Sequence, residues 1–348
     1  MSHKWHLCMK KKNFKIFKEK KLGLLFIQLT CALFLSCPIL SSFADVYPSK
    51  AIKLVIPYPP GNASDVTARA LGDILSKQIG QPVLVDNRPG AGGAIGTDFI
   101  AKSSPDGYNL LITSLSPIVI SPHITKNLPF DSLKDLIPVS KIGFTSMILV
   151  SSNSLPVNNI QELLLYAKNN PNKLSYASVG AGTLSMLTME VFKKSTQADI
   201  LHVPYKGSAQ AMTDLIGGNV SLMFDGMTSS YIHVKSGKLK ALAIASSARS
   251  DLATEIPTLK ESGNPNLIDF RVEGWTGLFA SPNTPSSITH LLNQEINKVM
   301  MDSEFKRRAQ TQNFEVYPAS TPEQFGVFVK NEFDRWGSVI KPLNISDN

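Results

Sequence analysis

From residue 45 to about residue 280 the chain alternates short β-branched runs with stretches whose apolar residues recur every three or four positions. That alternation predicts strands paired side by side, with helices covering the faces of the sheet they build. AIKLVIPY leads into DVTARALGDILSKQIG, where Val66, Ala70 and Ile74, flanked by Leu71, Leu75 and Gln78, keep a mostly apolar face at helical spacing. PVLVDN leads into IGTDFIAKS, and GYNLLITS gives a third strand ending at Thr113 and Ser114. The Pro-punctuated stretch LPFDSLKDLIPVSKIG and the strand FTSMILVSS then read as a crossing into a second set of units. This set runs through NNIQELLLYAKNNP, with Asn158 as its cap, KLSYASVG, LSMLTMEVFKK, DILHVPY, AQAMTDLIGG, VSLMFDG and KLKALAIAS.

A second crossing is predicted at VEGWTGLFASP, after which only helices remain. TPSSITHLLNQEINKVM and TPEQFGVFVKNEFDRWGSVI each read as a Thr cap followed by Pro at the first helical position, and Phe325, Val329, Trp336 and Ile340 form a core stripe. A chain that leaves one α/β lobe and returns to it predicts a two-lobed, hinged clamp, a Venus flytrap. Residues 45–146 plus 272–348 form the first lobe and 147–271 the second. Small ligands are expected between the carboxyl ends of the strands.

The formal charge of +8 points to a nucleic-acid or membrane partner until its position is considered. Residues 1–44 hold eight lysines and one acid, leaving 27 basic and 26 acidic side chains for the rest. A body of net charge +1 offers no footprint for nucleic acid. The leader itself runs KKKNFKIFKEKK, LGLLFIQLTCALFL and SSFA, the basic, apolar and small-residue order of an export signal, with cleavage expected after Ala44. An uncleaved anchor ranks second, because Gln28 and Thr30 interrupt a short apolar run; a lipoprotein modified at Cys37 ranks third. Cys8, Cys31 and Cys37 all lie in this leader, so the mature chain offers no disulfide, Cys-bound metal or thiol nucleophile. The simplest compartment is the periplasm.

Four loops share one design, a glycine-containing turn between a strand and a helix: PPGNASD, RPGAGGAIG, SVGAGTLS and PYKGSAQ. Such loops present backbone N–H groups to an anion at a helix start. In RPGAGGAIG the third position of a dinucleotide fingerprint is Ile95, and no Gly-Lys-Ser/Thr follows, which argues against a nucleotide. GAGT lacks the Arg or Lys that a phosphate recruits, so a carboxylate fits better. For any one loop, tight turning alone explains the glycines; two such loops in each inferred lobe shift the balance to a shared cleft.

Enzyme motifs are fragmentary. At Ser178 the upstream position of a nucleophile elbow is Tyr176, not Gly, and His123, His202, His233 and His290 never stand at a metal-binding i,i+4 spacing. Each histidine reads as a surface or core residue. Asp65 reads more as a helix-start charge than as a ligand contact, whereas for Asp225 the two readings stand level.

Taken in order, YPSKAIKLVIPYPPGNASDVTARAL, GQPVLVDNRPGAGGAIGTDFIAKSSPDGYNLLITS, KLSYASVGAGT, HVPYKGSAQAMTDLIGGNV and IPTLKESG…EGWTGLFASP resemble the Bug-type receptors, the extracytoplasmic solute-binding proteins of tripartite tricarboxylate transporters. The resemblance covers essentially all of the mature chain. It implies a periplasmic clamp without cofactor or metal, working as a monomer, that captures a small organic acid or amino acid and delivers it to membrane permease subunits. It further implies first-lobe contacts from Gly61, Asn62, Asp65, Gly92, Gly93, Thr113 and Ser114, and second-lobe contacts from Ser178, Gly180, Gly182, Thr183, Tyr205, Lys206 and Asp225. A bulky residue at 182 is expected to block the approach of ligand to backbone while leaving the empty fold intact. Asn62 departs from the family, which usually carries a second glycine there; Asn tolerates positive φ better than most residues, so ligand identity is affected more than fold. The rival functions are a secreted α/β hydrolase-like enzyme acting on a small organic acid and a two-lobed sensor for a signalling partner.

Overall fold

The first strand, β1 (Ile52–Ile56), buries four of its five residues. Ile52, Leu54 and Ile56 enter one core cluster while Val55 enters another, as the two-residue period of a strand covered on both faces requires. The computed structural model describes residues 47–343 apart from Asn62, Ala181 and Lys206; the leader, with its cysteines and expected cleavage point, lies outside the described residues.

Helix α1 (Ala63–Ile79) returns the chain to β2 (Val83–Asn87), and α2 (Ala94–Ala101) returns it to β3 (Asn109–Ser114). Both β2 and β3 pair with β1 in parallel. On α1 the buried line is Ala68, Leu71 and Leu75 with Ala70 beside them, whereas Val66 and Ile74 are half-buried and Gln78 is exposed. The helix is therefore rotated from the stripe that spacing alone predicts, because its small residues allow close approach to the sheet.

After β3 the chain forms helical turns that the apolar pattern does not signal. Ser116–Ile120 is π-helical and runs into α3 (Ser121–Ile124), with Pro117 and Pro122 each in a first turn. Ile118, Val119, Ile120 and Ile124 are buried in the central cluster, and that burial outweighs the poor local propensity. The crossing that follows is a single strand, β4 (Ile137–Ser152), which begins well inside the stretch read as Pro-punctuated loop. Register shifts near Pro138 and between Lys141 and Gly143 let it carry those residues.

The second set of elements is α4 (Ile160–Asn169), β5 (Ser175–Ser178), α5 (Leu184–Thr196), β6 (Leu201–Pro204), α6 (Ser208–Gly217), β7 (Leu222–Gly226), α7 (Met227–Lys235) and β8 (Leu239–Ile244). The cap of α4 is Asn159, whose side chain accepts from Glu162 N, and not Asn158, which donates its own N–H to the Glu162 carboxylate. β9 (Glu273–Ala280) follows and pairs wholly within the first sheet, so the return crossing precedes it.

α8 (Ser286–Met301), α9 (Ser303–Thr311), β10 (Glu315–Val316) and α10 (Pro322–Ile340) follow, so one short strand interrupts the predicted run of helices. Thr321 caps α10 in a capping box with Gln324, but α8 is entered through Pro285, and Thr284 bonds back to Ser281 O instead.

Strand order is β2-β1-β3-β9-β4-β7-β5-β6, with β8 and β10 also on β4. β4 pairs with β9 from Ile137 to Ser146, then with β7 and β8 from Met147 to Ser152. One strand thus leaves the first sheet and enters the second. The result is a two-lobed α/β clamp crossed twice by the chain, through β4 and through the segment entering β9. Phe325, Val329, Trp336 and Ile340 of α10 are buried in the central core, where each Phe, Val or Ile contributes about 1.5–3 kcal/mol by its removal from water.

Candidate ligand-binding cleft

All four glycine-containing loops lie at the carboxyl ends of parallel strands: β1 to α1, β2 to α2, β5 to α5 and β6 to α6. The second and third reach a common cleft of about 580 Å³, and Tyr58, just ahead of the first, joins them there; that volume is within the range of small-molecule sites, about 300–1,000 Å³. Tyr58, Gly92, Ser114, Ser116 and Ser121 line it from the side of the first sheet; Gly182, Thr183, Ser185, Asp225 and Gly226 line it from the second. Ile120, Ile124, Met147, Val179 and Leu184 supply apolar wall.

In the first loops, lining and supporting roles separate cleanly. Gly92 has φ 63 and open space where a Cβ would stand, so its backbone is accessible from the cleft. Gly93 is packed against Pro117, Tyr58 and Pro57, and its N–H donates to Gly90 O at 2.9 Å. Gly61 also has its N–H engaged, by Asp65 Oδ2 at 2.9 Å. The Asp65 carboxylate further receives both Nε and Nη2 of Arg69 at 3.0 Å and Asn87 Nδ2 at 2.9 Å, and Asn87 donates to Tyr58 O as well. Burial alone would raise the Asp65 pKa, but the bonds from Arg69, Gly61 and Asn87 outweigh it and hold the carboxyl below its ordinary range. Asp65 therefore ties the first loop to β2, whose Asn87 also holds the Tyr58 carbonyl.

Tyr58 was not singled out by the sequence, although it stands in PYPPGN beside the first loop. Its hydroxyl lies 2.7 Å from Ser114 Oγ and 3.4 Å from Thr113 Oγ1. Burial pushes its pKa up, with the serine and threonine bonds opposing, so the phenol stays neutral and able to donate. Thr113 is fully buried behind Ser114. Ser116 and Ser121 were missed too; the signal available was a serine ahead of each proline in SPIVISPHI.

On the second side, Gly182 (φ 71) and Thr183 line the cleft, and Thr183 caps α5 while its hydroxyl donates to Gly180 O at 2.7 Å. A Cβ at 182 would lie 3.0 Å from Ile124 Cδ1. Any substitution there strains a positive-φ backbone as well as crowding the cleft, a cost that the empty fold also bears.

Ser178 is fully buried beneath the loop, with its Oγ 2.7 Å from His202 Nε2 and in reach of Gly180 N and O. That distance suits a nucleophile and base, but Ser178 does not line the cleft, so the pair shapes the loop instead. His202 stacks on Tyr176, and burial, with Lys193 nearby, pushes its pKa down against the pull of Glu190. Tyr205 donates to Asp214 at 2.7 Å, away from the lining. Asn62 and Lys206 lie outside the described residues.

Asp225 is the last residue but one of β7 and is 8% exposed, facing the cleft. Its Oδ2 accepts from the hydroxyls of Ser229 and Ser230, the latter at 2.8 Å, and Gly226 N–H and the Ser208 hydroxyl add to this set. Burial nonetheless pushes its pKa up. Among the described residues no Lys, Arg or His lines the cleft, and no group of three or more metal-binding side chains occurs.

Two hinged α/β lobes with a cleft at their strand ends define the class of periplasmic binding proteins. Within it, the family model for the tripartite tricarboxylate transporter family receptor matches residues 67–345, and the chain belongs to that family. It is 38% identical over 303 residues to the protein BugT of Bordetella pertussis, covering 86% of this chain and 90% of that one. The solved periplasmic binding protein BugD superposes with a TM-score of 0.70 at 32% identity, covering 87% of this chain and all of that one. Rpa4515 of R. palustris, solved with adipate, gives a TM-score of 0.74 at 29% identity over 86% of this chain and 99% of that one. The chain is thus a solute-binding receptor of a tripartite tricarboxylate transporter, and not an enzyme.

Proposed function

We propose that this receptor captures one small carboxylate-bearing solute in the cleft lined by Gly92, Ser114 and Tyr58 on one side and Gly182, Thr183 and Asp225 on the other. The observation that carries the reading is the convergence of loops from both sheets on one cleft of about 580 Å³. Backbone N–H groups and hydroxyls, with no described cation, suit a carboxylate held by hydrogen bonds, and the adipate bound by Rpa4515 supports the ligand class. Gly61, Asp65, Gly93, Thr113, Ser178, Gly180 and Tyr205 act by shaping these loops, while Asn62 and Lys206 stay in the contact set on the strength of the resemblance.

The lobes divide as 45–146 plus 272–348 and 147–271, a division supported by the change of β4 partners between Ser146 and Met147. The mature protein begins at Asp45 after export to the periplasm, acts as a monomer, and hands its solute to the permease subunits. Neither lobe's donors suffice alone to desolvate a carboxylate, so binding closes the clamp.

A thermal-shift panel of mono-, di- and tricarboxylates, amino acids and aromatic acids tests the reading. A true ligand at 100 times its Kd raises the unfolding free energy by about 2.7 kcal/mol and is recovered unchanged. A panel without any shift, or an acid recovered chemically altered, overturns it.

A further inference from the structure

We infer that Asp225 is the counter-ion for an ammonium group on the solute, so that among carboxylates of one size the cleft selects those that also carry an amino group. This rests on the carboxylate-binding reading above and names the ligand class within it.

The cleft has a lopsided charge. Its described lining is made of hydroxyls, glycine backbone and aliphatic side chains, with one carboxylate and no cation. Asp225 is nearly buried, yet enters none of the ion pairs found among the described residues. The groups that meet it, the hydroxyls of Ser208, Ser229 and Ser230 and the Gly226 N–H, are all able to donate, the surroundings an ionised carboxylate needs. They supply hydrogen bonds but no net charge. Among the described residues no opposite charge faces this buried carboxylate, and burial pushes its pKa up.

A solute that presents two carboxylates to this cleft sets one of them against Asp225, and like charges in a site poor in water repel strongly. A solute with a carboxylate at one end and an ammonium near Asp225 satisfies both ends. The neighbouring hydroxyls keep the carboxylate fixed, so the ammonium meets a preorganised acceptor.

Matched pairs test this: glutamate against glutarate and aspartate against succinate, titrated calorimetrically into the ligand-stripped full-length protein at pH 7.5. The expected result is a preference of tenfold or more for the amino member of at least one pair. In Asp225→Asn that preference falls below about twofold because the amino member weakens, while the plain diacid holds or gains. The wild-type comparison stands even if the variant fails to fold. The inference is overturned if the plain diacids bind wild type as tightly as their amino counterparts, or if Asp225→Asn weakens both members of a pair by the same factor. Binding of plain acids without preference sinks this inference alone. A wild-type protein that binds no acid in the broader panel sinks the carboxylate reading with it.

Discussion

Gly182 and Ile124 meet across the cleft: a Cβ on Gly182 would stand 3.0 Å from Ile124 Cδ1, and Gly182 itself holds φ at 71. The loop before α5 therefore needs glycine for its backbone conformation and also for the closeness of the helical turns after β3. Gly182→Ala is expected to lower unfolding free energy by about 1–2 kcal/mol through the left-handed backbone alone and to reduce the ligand-induced thermal shift. Adding Ile124→Ala separates the two effects: it restores part of the ligand shift but none of the backbone cost. A double-mutant cycle with additive effects on ligand binding would show that the two residues are uncoupled.

The Tyr58 hydroxyl, 2.7 Å from Ser114 Oγ, orients a serine that lines the cleft. Tyr58→Phe is expected to cost about 0.5–1.5 kcal/mol of stability in urea unfolding, the usual worth of one such bond, and to weaken solute binding severalfold. Because burial raises the phenol's pKa, affinity in the wild type stays flat from pH 7 to pH 9 in calorimetric titrations. An alkaline fall in that window that disappears in Tyr58→Phe contradicts a neutral Tyr58.

Asp65 gives the first loop an acid-sensitive anchor. Its folded pKa lies below the ordinary 3.8, so its contribution is fully present above that value and is lost as pH falls below it through the folded pKa. Equilibrium unfolding from pH 6 to pH 2 should show this loss, and Asp65→Asn should flatten that part of the curve while lowering stability at pH 7 by about 1–3 kcal/mol. An unchanged acid limb in the variant would remove Asp65 from this role.

The strands and the four loops are legible in the chain because IKLVI, VLVDN and NLLITS carry their burial locally and glycines mark the turns. The helical turns of SPIVISPHI are not: Pro117 and Pro122 argue against a helix, and only burial in the central core makes one favourable. The second half of β4 reads as a strand in FTSMILVSS, but its first half is hidden for a similar reason, since Pro138 and Gly143 break its pattern and are tolerated through shifts in register. Within the site, Gly92 and Gly182 are visible as glycines, but that Gly93 faces Pro117 while Gly92 faces open space depends on a few tens of degrees of backbone rotation. Asp65 shows the converse: its carboxylate is engaged by Gly61, Arg69 and Asn87, and the last of these comes from β2, out of reach of any local reading.

The central claim, that one small acid is held by backbone and hydroxyl groups from both sides of this cleft, is tested most directly by calorimetric titration of the acid that mass spectrometry identifies on the natively exported protein. The account predicts one site per chain in the wild type, and binding at least tenfold weaker in Gly92→Val, whose added side chain enters the open space above that backbone. A released molecule without a carboxylate, or one that binds Gly92→Val as tightly as the wild type, would contradict it.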